Sequence, residues 1–130
     1  MKKLFLPYEL AVIAKEKGFD ESCLGEYLKF REPKEIIFTN PTNKLYATSN
    51  SILAPLYQQI IDWFREKYKI HIQIERVSDQ NLLYYKCFLN INGHNSYAIE
   101  SKNNPSHSMF AYPDYYSAMN AAITEAFKLI

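Results

Sequence analysis

His94, Glu100 and His107 are the one cluster in this 130-residue chain that resembles a set of metal ligands. Two imidazoles and a carboxylate can hold a zinc-type cation when the backbone converges them. Their separations match no ligand spacing that fixes such a site, so solvated loop histidines are the expected state and no metal is expected. His71 reads as an outward polar residue at a helix–strand junction. The two thiols, Cys23 and Cys87, stand far apart and in no redox or metal spacing. A cysteine nucleophile needs a base and an orienting partner. Cys87 instead falls mid-strand on an apolar-alternating face, where a thiol is buried and inert. With three glycines, Gly18, Gly25 and Gly93, the chain can build neither a phosphate-cradling loop nor a dinucleotide fingerprint. Gly-x-Ser-x-Gly and paired helical histidines are also absent. The expectation is a protein without catalytic residues and without a cofactor.

Tyrosine is the compositional anomaly. Eleven occur, including the pairs Tyr84-Tyr85 and Tyr115-Tyr116, with Tyr112 close by. Adjacent strand residues point to opposite faces, so one of Tyr84 and Tyr85 faces out. Exposed tyrosine gives large contact area at low entropic cost and is common at interfaces. Two readings stand side by side. Most rings lie in the core with their hydroxyls reaching water, or some of them line a partner surface. The candidates for that surface are Tyr84, Phe110, Tyr112, Tyr115 and Tyr116.

The elements that must position these rings follow from periodicity. Residues 51–70 form the longest amphipathic segment. At 100° per residue, Tyr57, Ile60, Ile61, Phe64 and Tyr68 cluster, with Leu56 and Trp63 on the flank, while Gln58, Gln59, Asp62, Arg65, Glu66 and Lys69 fall opposite. A helix is expected there, capped by Asn50 or Ser51, with Pro55 in its first turn. Before it, Pro7 opens a helix over 8–17 that Gly18 terminates. Short strands are expected at 24–30, 35–39 and 44–48, separated by turns at 31–34 and 40–43. After it, Ile70, Ile72 and Ile74 alternate with His71, Gln73 and Glu75 in a half-buried strand. A turn at 78–81 leads to a long strand over 82–91, with Leu83, Tyr85, Cys87, Leu89 and Ile91 on one face. Asn92-Gly93 is a tight-turn signal, and 96–101 returns beside that strand. Residues 102–108 read as a loop. Asp114 caps a last helix with Met119, Ala122, Ile123, Ala126, Phe127 and Ile130 along one side. The order is α-βββ-α-βββ-α: one continuous α+β domain, its antiparallel strands packed against the central and C-terminal helices.

Size and charge bound the rest. Apolar residues at 48% and charged ones at 22% suit a chain that buries a core. Fifteen basic against fourteen acidic residues give no global field to draw in nucleic acid or an anionic membrane. No apolar run approaches membrane-spanning length. Pro7, Tyr8 and Glu9 break the basic start too early for a signal peptide. Reduced cysteines and the lack of a usable glycosylation site point to an intracellular protein.

Two resemblances attach to particular segments. The second half, residues 51–130, has the α-βββ-α order of a double-stranded-RNA-binding domain, and the stretch from Asn120 to Phe127 resembles that family's alanine-rich last helix. Such domains hold phosphates with lysines at the start of that helix. Here the matching residues are Asp114, Tyr115, Tyr116 and Ser117, so the likeness implies topology more than RNA binding. The segment from Ala54 to Lys67 is similar to one in small proteins of Bacteroidales phages and prophages. The opening from Leu6 to Ala11, with Lys15 to Asp20, and the closing stretch from Tyr116 to Ile130 look like the same group. That resemblance implies a mobile-element origin and a bacterial cytoplasm as the workplace, and it transfers no functional residue.

The expected function is a non-enzymatic protein-binding or accessory module acting through an aromatic surface, on a host protein or on a second copy of itself, with no membrane contact. The alternative is a nucleic-acid-binding module that would have to use Lys34, Lys44, Lys86 and Lys102.

Overall fold

The computed structural model describes residues 2–42, 50–93, 97–100 and 110–130, with the backbone alone at 39–42, 79 and 97. Among the described residues, three α-helices and two antiparallel sheets give an α+β fold in the expected order. The chain divides into two compact units, Met1–Trp63 and Phe64–Ile130.

In the first unit a 3-10 turn (Lys2–Leu4) precedes α1 (Tyr8–Glu16). Gly18 ends that helix at φ 94°, a left-handed conformation that favours glycine. Its amide donates to the Lys15 carbonyl and that of Phe19 to the Ala14 carbonyl, the paired bonds of a Schellman stop. The strands β1 (Cys23–Leu28), β2 (Ile37–Thr42) and β3 (Ser51–Ala54) form a sheet in the order β2-β1-β3. Phe5, Ala11, Tyr27, Ile36, Ile52 and Ala54 make its core, with Tyr8, Val12 and Leu56 packed against them. The Tyr27 hydroxyl donates to the Leu6 carbonyl at 2.7 Å, so the buried ring keeps its polar end satisfied.

Two expectations in this unit are corrected. Residues 51–54 are a strand and not the start of the central helix, which begins at Tyr57. The residue before a proline is driven toward extended backbone. Ala54 obeys that rule, and Ile52 pairs with Tyr27 on the buried side of the sheet. The helix is capped at Leu56, whose amide donates to the Gln59 side chain at 2.9 Å, as in a capping box. The second correction is the turn expected at 40–43: β2 continues through Asn40 and Pro41 to Thr42, which pairs with Cys23. A proline is tolerated there because β2 is an edge strand. The strand expected at 44–48 lies outside the described residues.

The central helix, α2 (Tyr57–Tyr68), supplies residues to both units. Trp63 meets Phe19 edge-on at 5.7 Å in the first. In the second, Phe64 is fully buried and packs on Phe127 at 5.0 Å. Lys69, at φ 57°, turns the chain directly into β4 (Ile70–Asp79). β4 pairs without a break over ten residues with β5 (Leu82–Ile91), through a two-residue turn at Gln80 and Asn81, both at positive φ. β5 in turn pairs with the short β6 (Tyr97–Ala98). The sheet order is β4-β5-β6, and α3 (Tyr115–Lys128) packs on β5 and β4. Asp114 caps α3 as expected, accepting the Ser117 amide at 2.8 Å and the Ser117 hydroxyl at 2.7 Å. Ala118, Met119, Ala122, Ile123, Ala126 and Phe127 of α3 are buried, and with Cys87, Leu89 and Ile70 they make the second core.

Candidate binding surface

The faces of the second sheet follow from pairing and burial. Leu83, Tyr85, Cys87, Leu89 and Ile91 share one side of β5, opposite Ser78, Arg76, Ile74, Ile72 and Ile70 of β4. Cys87 and Leu89 on that side are fully buried, which identifies it as the side under α3. Beyond Cys87 the cover runs out. Tyr85 is half-buried against the Tyr115 ring at 6.1 Å, and Tyr115 meets Tyr116 at 5.4 Å, both edge-to-face. Leu83, two residues further toward the hairpin tip, is 48% exposed, and Tyr115 is 42% exposed. Arg76, directly across from Tyr85, is exposed. Arginine, tyrosine and aliphatic side chains thus meet where the distal hairpin overhangs the start of α3. Of these, arginine and tyrosine are the types enriched at interface centres.

Tyr84 faces away from α3 with Lys86 and Phe88; all three are half-buried, and the Lys86 ammonium lies 5.9 Å from the Tyr84 ring. Leu82 on that outer side is 45% exposed. Phe110 is half-buried.

Tyr112 is a correction: at 7% exposure it is a core residue and not part of a surface. Its backbone exchanges both hydrogen bonds with Tyr85, at 2.9 and 2.8 Å, extending the sheet by one bridge. Its hydroxyl is shared between the Ile99 and Glu100 carbonyls at 3.2 and 2.9 Å. Sequence spacing could not reveal this, because the bridge joins residues 27 positions apart in the chain. Of the five candidates, Tyr115 and Tyr116 are thus brought together, Tyr84 is on the opposite sheet face, and Tyr112 is withdrawn into the core. Tyr85, Leu83 and Arg76 were missed. Their signal was present in the alternation of β5, but periodicity could not show that α3 starts too late to cover them.

The groups with chemical potential elsewhere are held inert or apart. Burial pushes the Cys87 thiol up to about 11, with its hydrogen-bonding contact with Tyr112 acting against the rise and the Glu125 carboxylate adding to it. Burial and the neighbouring Glu21 push Cys23 up to about 12. Both cysteines are buried and neither is in a disulfide. His94 and His107 lie outside the described residues, Glu100 is exposed, and among the described residues no three His, Cys, Asp or Glu side chains converge on a metal-sized space. Lys44 and Lys102 also lie outside them. Lys34 is engaged locally, paired with Glu32 at 3.0 Å, stacked over Tyr8 at 4.7 Å and bonded to the Leu28 and Lys29 carbonyls. In the first unit a cleft of about 320 Å³ is lined by Tyr8, Val12, Lys15, Glu16, Lys29 and Ile52. No helix among the described residues is long and apolar enough to cross a membrane. Comparison of the chain with protein-family models, with curated proteins and with solved structures finds no match.

Proposed function

We propose that this chain is a non-enzymatic protein-binding module whose contact surface is the overhang of Arg76, Leu83, Tyr85, Tyr115 and Tyr116 in the second unit. The observation that carries the reading is the exposure of Leu83 and Tyr115 beside one continuous edge-to-face aromatic row. Large rigid rings bury area at little entropic cost, and an adjacent arginine adds directional hydrogen bonding. The resemblance to phage and prophage proteins supplies the proposed setting, a bacterial cytoplasm, and the proposed partner, a protein of the host. Nucleic acid is the weaker alternative, since the start of α3 offers an acid and two tyrosines in place of phosphate-binding lysines.

The test is capture of a partner from bacterial lysate on the tagged protein, treated with nuclease and raised salt, repeated with Leu83→Ser and Tyr115→Ala. A discrete protein captured by the wild type and lost from both variants, with thermal unfolding unchanged, supports the reading. Truncation at an interface centre costs more than about 1 kcal/mol, enough to lose a moderate binder in washing. Capture indifferent to both substitutions overturns the surface. Capture that disappears with nuclease replaces the partner class with nucleic acid.

A further inference from the structure

The second sheet has an edge that none of its own described strands covers. Its order, β4-β5-β6, leaves β4 on the outside over ten residues. The direction of the ladder identifies which groups look outward. Tyr85 exchanges its backbone bonds with Tyr112, and the Cys87 carbonyl accepts from Ile99, so these β5 residues bond away from β4. Their partners Arg76 and Ile74 therefore form non-bonded pairs with β5, and by alternation so do Ile72 and Ile70. The Asn92 amide bonding the Lys69 carbonyl at 3.0 Å fixes the same phase at the other end. The N–H and C=O groups of Ile70, Ile72, Ile74 and Arg76 point off the edge.

Natural edge strands are blunted by proline, by charged side chains, lysine above all, by bulges or by brevity. β4 has no proline and no lysine, confines its acidic and arginine side chains to Glu75, Arg76 and Asp79 in its second half, pairs through ten uninterrupted positions and sets half-buried Ile72 and Ile74 along the α3 side. We propose that this edge is a self-association surface, on which a second copy of the chain adds its own β4 antiparallel, in a register centred on Gln73. A two-fold axis normal to the sheet keeps both helix layers on one side and pairs residues whose numbers sum to an even value. Centring on Gln73 places Ile72 against Ile74′ and Ile74 against Ile72′ on the helix side. On the outer side His71 meets Glu75′, Glu75 meets His71′, and the two Gln73 amides face each other. Four bonded pairs from Ile70 to Arg76 supply about eight hydrogen bonds. Arg76, opposite Ile70′, lies at the end of the paired stretch, where its stem can cover the isoleucine while the guanidinium stays in water. Neighbouring registers are poorer. A centre at Glu75 stacks two carboxylates, one at Ile74 sets Ile72 against Arg76′, and one at Ile72 shortens the pairing to residues 70–74 because β4 starts at Ile70. Like charges directly opposite are unfavourable and apolar cross-strand pairs favourable.

The assembly is read by sedimentation of the full chain across a dilution series. The expected result is a concentration-dependent dimer. Gln73→Lys faces two ammonium groups across the axis and should leave only monomer, as should Gln73→Glu, while mixing these two variants restores a dimer. Neither substitution touches β5 except across from Phe88, so a folding defect is read separately by circular dichroism, and restoration on mixing excludes it. Gln73→Cys incubated with oxidised glutathione should form a covalent dimer, because non-bonded antiparallel pairs hold their Cα atoms about 4.5 Å apart, inside the disulfide range. Glu75→Cys should not, since four residues of offset set its copies about 13 Å apart along the strands. A monomer at every concentration overturns the proposal. So does a dimer that persists in Gln73→Lys, or equal cross-linking at positions 73 and 75. The aromatic surface stands or falls separately, because Leu83→Ser and Tyr115→Ala leave this pairing intact.

Discussion

A phenol that donates into two carbonyls from within a core does more for the fold than it could do at a surface. Removing the Tyr112 hydroxyl leaves the Ile99 and Glu100 carbonyls without their donor. Tyr112→Phe should therefore cost about 1 kcal/mol, seen as a lowered urea midpoint with an unchanged slope. Gly25 tests packing rather than polarity. A Cβ there would come within 2.9 Å of the Ile36 Cγ2 and 3.1 Å of the Phe5 Cε1. Gly25→Ala should destabilise by about 1–3 kcal/mol, since those atoms are themselves packed and the sheet must shift. The thiols set an alkaline limit. Cys23 and Cys87 lose protons near pH 9 when unfolded and only near 12 and 11 when folded. Raised acid constants favour the protonated native state, so this stability is fully present below pH 9 and declines as pH rises toward 11. The urea midpoint at pH 10 should fall below that at pH 7, and Cys87→Ala should lessen the drop. That Cys87 is buried was legible from alternation. That Tyr112 is buried was not, because only the tertiary bridge to Tyr85 withdraws it.

At the scale of elements, helix ends carry most of the local instruction. Asp114 accepts two bonds from Ser117, which hold its carboxyl below the ordinary carboxylate range. Asp114→Ala should cost about 1 kcal/mol by thermal melting at pH 7. A depressed carboxylate constant gives stability that is present above the unfolded value and lost as acid titrates the folded group. The difference between wild type and Asp114→Ala should therefore shrink when the comparison is repeated at pH 3. This cap and the Gly18 stop were both readable, since each depends on residues within one turn of the helix end. The start of α2 was misread for the opposite reason. The 51–54 segment has helical periodicity with the residues after it, and its alternative, pairing with β1, depends on a strand more than twenty residues away. Pro55 carried the correct signal, because extended backbone before a proline outweighs a continuing apolar stripe.

For the whole molecule, α2 is the element that two cores share. Trp63 and Phe64 are successive residues, yet Trp63 packs on Phe19 in the first unit and Phe64 on Phe127 in the second. Neighbouring positions on a helix diverge by about 100°, and Trp63 lies on the flank of the stripe to which Phe64 belongs. Periodicity gave the width of that stripe, with Trp63 placed on its flank, but not the division of its residues between two cores. The consequence is a prediction about cooperativity. Unwinding α2 removes Trp63 from one core and fully buried Phe64 from the other, so neither unit keeps its packing if the helix is lost. Phe64→Ala should cost about 3–5 kcal/mol, as for other buried phenylalanines. If the helix couples the cores, the sole tryptophan reports it, although Trp63 does not belong to the unit that the substitution damages. The fluorescence transition of Trp63 in urea should then shift to lower denaturant together with the loss of amide protection in β5. Two separated transitions, with the fluorescence midpoint unmoved by Phe64→Ala, would show that the first unit holds its half of the helix without the second.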